Sequence, residues 1–181
     1  MTTRTLLTCG IVAAPLWTVV SLAQAAVRPG YSLAREPLSM LAVGPAGWIQ
    51  VVNFVVAGVL FVLGAIGLRR VLGRTWAPRL VLINGVGMVA AGIFTMDSQP
   101  YAHMAAGTIS FACLIAACYV LGKHFGWVSW AAGTALLAGD LWAMSGGPVG
   151  SLTLAAGAIA AMLWISTVAA RYRQDLSVVA V

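Results

Sequence analysis

Charged side chains are scarce in this sequence. They make up 8% of its 181 residues, and only four of them are acidic. A soluble domain carries about a quarter charged residues, so an ordinary water-facing surface is excluded. Histidine is rarer still, with His103 and His124 alone, and there are three cysteines. Neither number suits a His/Cys metal cluster or a disulfide framework. Cys9, Cys113 and Cys118 read as small apolar fillers. Walker and dinucleotide-binding glycine patterns are absent, as are an internal repeat and the strand-period alternation of a barrel. No metal and no cofactor is expected. Nucleic acid is not expected as a partner either, because no soluble basic module exists to carry it.

What the chain has instead is apolar length. Hydrophobic residues reach 61% and the mean hydropathy is +0.98. A bilayer core about 30 Å thick takes roughly 20 apolar residues per helix. Six runs qualify, at about residues 6–27, 48–68, 80–96, 104–121, 127–144 and 150–170. The expected fold class is therefore all-α: a polytopic membrane protein, a six-transmembrane-helix bundle, forming one integral membrane domain over residues 1–181. The first run, with Arg4 before it and "AQAA" near its end, resembles a signal peptide cut after Ala25. It is long enough to span, which a signal h-region usually is not, so it reads as the first helix. Pro15 should kink that helix or free a carbonyl. Abundant Gly, Ala and Ser should let the helices approach closely, since lipid supplies no hydrophobic drive between them.

The basic residues set the orientation. With both termini cytoplasmic, the inner segments hold Arg4, Arg69, Arg70, Arg74, Arg79, Lys123, Arg171 and Arg173, eight of the ten Lys and Arg. The net charge of +6 is thus a topology signal first. Trp48 and Trp142 then sit at outer ends, and Trp76, Trp127 and Trp130 at inner ones, as interfacial anchors.

Polar residues gather on the opposite side. The loop over residues 28–47, "RPGYSLAREPLSMLAVGPAG", contains Arg28, Arg35 and Glu36. Gln50 and Asn53 share a face at the outer start of helix 2. Asp97 ends helix 3, His103 opens helix 4, and Asp140 lies about a turn inside helix 5. These eight residues are the candidate lining of an outward-facing pocket with the loop as its lid. An ionisable group in a span faces the bundle interior and takes a partner. Arg28, Arg35 or His103 are the expected partners of Asp140. The alternative is a self-paired, purely architectural cluster. A hydrolytic site can also be drawn from Ser39, His103 and Asp97, with Ser98 as a further hydroxyl, although no nucleophile elbow is present. Zinc on His103, Asp97 and Asp140 would be thin in ligands.

The loop leading into "VNFVVAGVLF", and "AGIFTMDSQP" followed by "HMAAGTISF", resemble the bacterial membrane family known as domain of unknown function 998. The resemblance covers roughly helices 1 to 5. Its pattern falls here on Ser39, Gly47, Trp48, Asn53, Phe54, Asp97 and His103. It implies a multi-pass protein of the plasma (cytoplasmic) membrane and supplies no activity or cofactor. The alkaline ceramidase and adiponectin-receptor superfamily is similar in size and in having Ser, Asp and His near one face, but no histidine follows His124 to supply a late ligand pair. The functional expectation is a membrane protein, more a binder than an enzyme, that binds or shuttles a lipid or small amphiphile. The alternatives are a membrane hydrolase and a structural partner subunit. Membrane lipids, a second copy or another membrane protein are the partners expected.

Overall fold

The uncharged runs fold as helices in the computed structural model, which describes residues 1–178 and side chains as far as Leu176. Six α-helices follow one another among the described residues: α1 (Thr3–Val27), α2 (Gly47–Leu72), α3 (Trp76–Ile93), α4 (Pro100–Phe125), α5 (Trp127–Met144) and α6 (Gly150–Val178). Residues 179–181 of the expected single domain lie outside the described residues. Five helices, α1 to α4 and α6, are long and apolar enough to cross a membrane. The other, α5, is 18 residues long and carries Asp140.

Most helices run past the apolar segment that predicts them. α2 continues through Arg69 and Arg70, and α4 through Lys123 and His124. Cations suit a helix C-terminus, where free carbonyls concentrate negative potential. α3 differs in direction. It stops at Ile93, short of the expected residue 96, where Phe94 turns to extended backbone. The cause is a side chain from the next helix. His103 Nδ1 lies 2.9 Å from the Ala91 carbonyl and 2.8 Å from that of Phe94. The imidazole satisfies carbonyls that the helix end leaves unpaired. α4 then starts on Pro100, which needs no intrahelical partner for its missing N–H.

Each helix packs on its neighbour in sequence, and α6 returns to pack on α1, so the six form a closed ring. The first and last helices meet where Ser166 Oγ donates to the Gly10 carbonyl at 2.7 Å. At the same end Arg70 donates to the Met1 carbonyl at 3.1 Å, so the described start and end of the chain share one end of the bundle with the α2–α3 and α4–α5 turns. The basic residues of the helix ends gather there. The long α1–α2 loop and the other two turns lie at the far end. A short 3₁₀ turn, Leu38–Ala42, folds that loop inward and buries Leu38, Leu41 and Ala42.

Close approach holds most of the ring. A reciprocal contact joins α2 and α3, where a Cβ on Gly58 would lie 2.7 Å from the Gly85 carbonyl oxygen and one on Gly85 equally near that of Gly58. α5 and α6 are as intimate, since a Cβ on Gly157 would lie 2.5 Å from the Ala135 oxygen. α4 and α5 behave otherwise. Near their shared turn they are knotted together. Ser129 Oγ donates to the Cys118 carbonyl at 2.7 Å and accepts from Trp164 Nε1 at 2.8 Å. Tyr119 and Thr134 share a hydrogen bond of 2.7 Å. Toward the loop end α5 follows α6 and parts from α4, where a Cβ on Gly107 would meet nothing within 4 Å.

Ser129 is fully buried and ties three helices through one hydroxyl. Ser129→Ala orphans the Trp164 indole N–H and removes the hydroxyl's bond to the Cys118 carbonyl of α4. A loss of about 1–2 kcal/mol is expected, since interhelical hydrogen bonds in lipid are modest but an unpaired donor is costly. A lowered thermal midpoint of the purified protein in detergent would show it, and an unchanged midpoint would contradict it.

Candidate functional site

The wedge left between α4 and α5 is not filled. A cavity of about 370 Å³ lies inside the ring, under the 3₁₀ turn and between α3, α4, α5 and α6. Pro37, Leu38 and Ser39 form its roof. Trp17 and Phe54 make its back wall, ring to ring at 5.9 Å and 63°. Its floor reaches Asn84, Ser110 and Met162, about halfway along the bundle. The lining is mostly aliphatic and aromatic. Met104, Thr108 and Met144 border it and are themselves exposed, so the cavity opens sideways between the loop-end halves of α4 and α5.

Four polar positions matter inside. Asp140 is half-buried on α5 and lines the cavity with Ala143 and Met144 of the next turn. His103 is buried on α4. Its Nδ1 faces the carbonyls of Ala91 and Phe94, while its Nε2 has no hydrogen-bond partner among the described residues. Ser110 donates to Asn84 Oδ1 at 2.8 Å, which fastens α4 to α3 on the floor. Of the expected lining residues, then, His103 and Asp140 border the cavity, and so does Ser39. The other six do not.

Those six are occupied elsewhere or exposed. Arg28 donates to three loop carbonyls, of Met40 at 3.1 Å, Leu41 at 3.0 Å and Val43 at 2.6 Å. Gln24 adds bonds to the carbonyls of Leu41 and Ala46 at 3.3 and 3.0 Å. Glu36 accepts from the Ser32 N–H, and its carbonyl accepts from the Tyr31 hydroxyl at 2.8 Å. Burial, with Glu36 beside it, pushes the Tyr31 phenol up to about 12. Arg35 is exposed. Gln50 and Asn53 both reach Ser21 of α1, at 2.9 and 3.1 Å, and Asn53 also donates to the Trp17 carbonyl. They bind α2 to α1 behind the cavity wall.

The expected pairing of Asp140 is corrected. No hydrogen bond or ion pair joins it to Arg28, Arg35 or His103 among the described residues. Arg28 is drawn instead to backbone, because an irregular loop presents carbonyls that no helix satisfies. Asp97 is also apart from His103. It is exposed in the α3–α4 turn, where the Thr95 hydroxyl donates to its carboxylate and holds it below the usual carboxylate range. Asp97 therefore does not orient the His103 ring; backbone carbonyls do. No group of three or more His, Cys, Asp or Glu side chains that could hold a metal comes together among the described residues.

Sequence reasoning passed over most of the cavity's floor. The signal was present on α4, where His103, Gly107, Ser110 and Phe111 recur at helical spacing and so share a face. On α6, Ser151, Ala155, Ala158 and Met162 do the same. All eight line the cavity.

The chain matches the family described as Protein of unknown function (DUF998) over residues 11–171. No curated protein and no solved structure matches it.

Proposed function

The chain belongs to the DUF998 family, and from that premise we propose that it binds a lipid or small amphiphile that enters its cavity sideways from the bilayer. The observation that carries this reading is the shape of the void. It is roofed by the 3₁₀ turn, apolar through most of its depth, and edged by exposed Met104, Thr108 and Met144 where α4 and α5 part. An opening on the flank of a membrane bundle faces acyl chains, whereas a water-soluble ligand needs a mouth at the end. Its volume falls within the range of about 300–1,000 Å³ usual for small-molecule sites.

The same reading orients the molecule. We take α5 as a sixth span despite its carboxylate, because Asp140 borders the cavity and need not face lipid. The end rich in Arg and Lys is then cytoplasmic. The loop, the roof and the lateral opening lie toward the outer leaflet of the plasma membrane, and both termini are inside. The role is binding or shuttling, with membrane lipid as the partner.

Gly107 offers a direct test. It borders the cavity, and a Cβ placed there meets no neighbour within 4 Å, so the indole of Gly107→Trp can start into open space and narrow the opening. Native mass spectrometry from a non-ionic detergent should show the wild-type chain retaining one amphiphile mass that Gly107→Trp loses by at least about five-fold. Equal retention by both proteins would reject the lateral route.

A further inference from the structure

We infer that the cavity selects amphiphiles with a cationic, hydrogen-donating head, a protonated primary amine on an alkyl chain, with Asp140 as counter-ion. The inference rests on the lateral-cavity reading above and adds the charge of the guest.

The charge of the lining points this way. Asp140 is its one carboxylate, and no lysine or arginine borders the void. The loop arginines are not in reserve: Arg28 is committed to three carbonyls, and Arg35 lies exposed outside the lining. Among the described residues the carboxylate therefore has no cation of the protein's own. A charge placed in an apolar cavity without a partner is costly, and a partner brought by the ligand removes that cost. Attraction between opposite charges is also far stronger there than in water.

His103 reinforces the choice. Two carbonyl oxygens face its Nδ1, so Nδ1 carries the proton in the neutral ring and Nε2 is left as an acceptor. The indole N–H of Trp17, the buried donor on the back wall, is sealed away from open space and meets no ligand. Carboxylate and imidazole thus make the polar end of the cavity acceptor-rich. An ammonium head has donors for both. A carboxylate or phosphate head would face Asp140 with like charge, and a hydroxyl head would leave it unneutralised. The apolar remainder, with Phe111, Leu154, Ala158 and Met162, is left for the chain.

A head-group series on the full chain decides the matter. Dodecylamine, dodecanol and dodecanoate are titrated, below their micellar concentrations, into protein purified in non-ionic detergent at neutral pH, with heat of binding as the readout. Dodecylamine is expected to bind at least about ten-fold more tightly than dodecanol, and dodecanoate most weakly. Asp140→Asn should abolish the amine preference and leave dodecanol within about two-fold of wild type, and Asp140→Glu should restore the preference in part. Equal affinities in the wild-type protein, or an amine preference that survives Asp140→Asn, would overturn the inference. The wild-type series alone suffices if a variant does not fold. If none of the three binds, the lateral-cavity reading falls with it. If dodecanol binds as well as the amine, only the charge selection falls.

Discussion

Gly58→Leu should unmake the bundle. The Cβ it adds would stand 2.7 Å from the Gly85 carbonyl oxygen and 2.9 Å from the Val89 nitrogen. Both are backbone atoms, and no rotamer change moves them. Gly85 meets Gly58 with the same geometry from the other side, so neither helix can yield without the pair separating. Overpacking that side chains can absorb costs about 1–3 kcal/mol, and a backbone clash should exceed that range. The purified variant is expected to melt about 10 °C or more below wild type, or to elute as aggregate. Gly107→Leu is the matched control. It adds the same side chain where a Cβ meets nothing within 4 Å, and its midpoint should stay within about 2 °C of wild type. If Gly58→Leu melts with the wild type, α2 and α3 are not packed as described.

Arg28→Ala should release the roof. One guanidinium bonds the carbonyls of Met40, Leu41 and Val43, all within the segment that covers the cavity. Hydrogen bonds from a charged donor contribute about 1.5–3 kcal/mol each when isolated, and three from one group are not additive. A net loss of about 2 kcal/mol in docking of the loop is reasonable, or about thirty-fold in its opening equilibrium. Hydrogen exchange reads this directly, because the Met40 and Val43 amides are bonded within the 3₁₀ turn. Both should exchange about thirty-fold faster in Arg28→Ala, while amides in the middle of α2 keep their protection. Arg28→Lys should recover only part of the effect, since an ammonium lacks the planar fork that reaches three acceptors. Unchanged exchange at both amides would mean that the buried Leu38 and Leu41 hold the roof without it.

Helix number and placement were legible in the sequence because hydropathy is a local property, and the uncharged runs are long. The site was legible only by half. Depth along a helix follows from counting, so His103 and Asp140 could be assigned to one end of the bundle. Azimuth around the ring does not follow from counting. Gln50 and Asn53 stand at the right depth but face α1, where Ser21 takes their bonds. Arg28 misled for a different reason. Its charge suggests a carboxylate partner, yet the nearest unmet need was three backbone carbonyls, which leave no mark in the residue alphabet. The early end of α3 was equally hidden, because the group that caps it, His103, belongs to α4. The separation of α4 from α5 depends on which helix α5 follows, and that is decided by its fit against α6.

The closed ring has a bearing on how the protein is made. Of the six described helices, α6 is synthesised last and meets α1, the first, through Ser166 and Gly10, 156 residues apart. Until α6 arrives, the cavity lacks the wall formed by Ser151, Leu154, Ala155, Ala158 and Met162. α5 also lacks its closest neighbour, and the Trp164 indole that grips Ser129 has not been synthesised. A chain arrested after α5 would carry its half-buried carboxylate with no enclosed space to point into. Arrival of α6 therefore closes the ring and completes the cavity wall in one step.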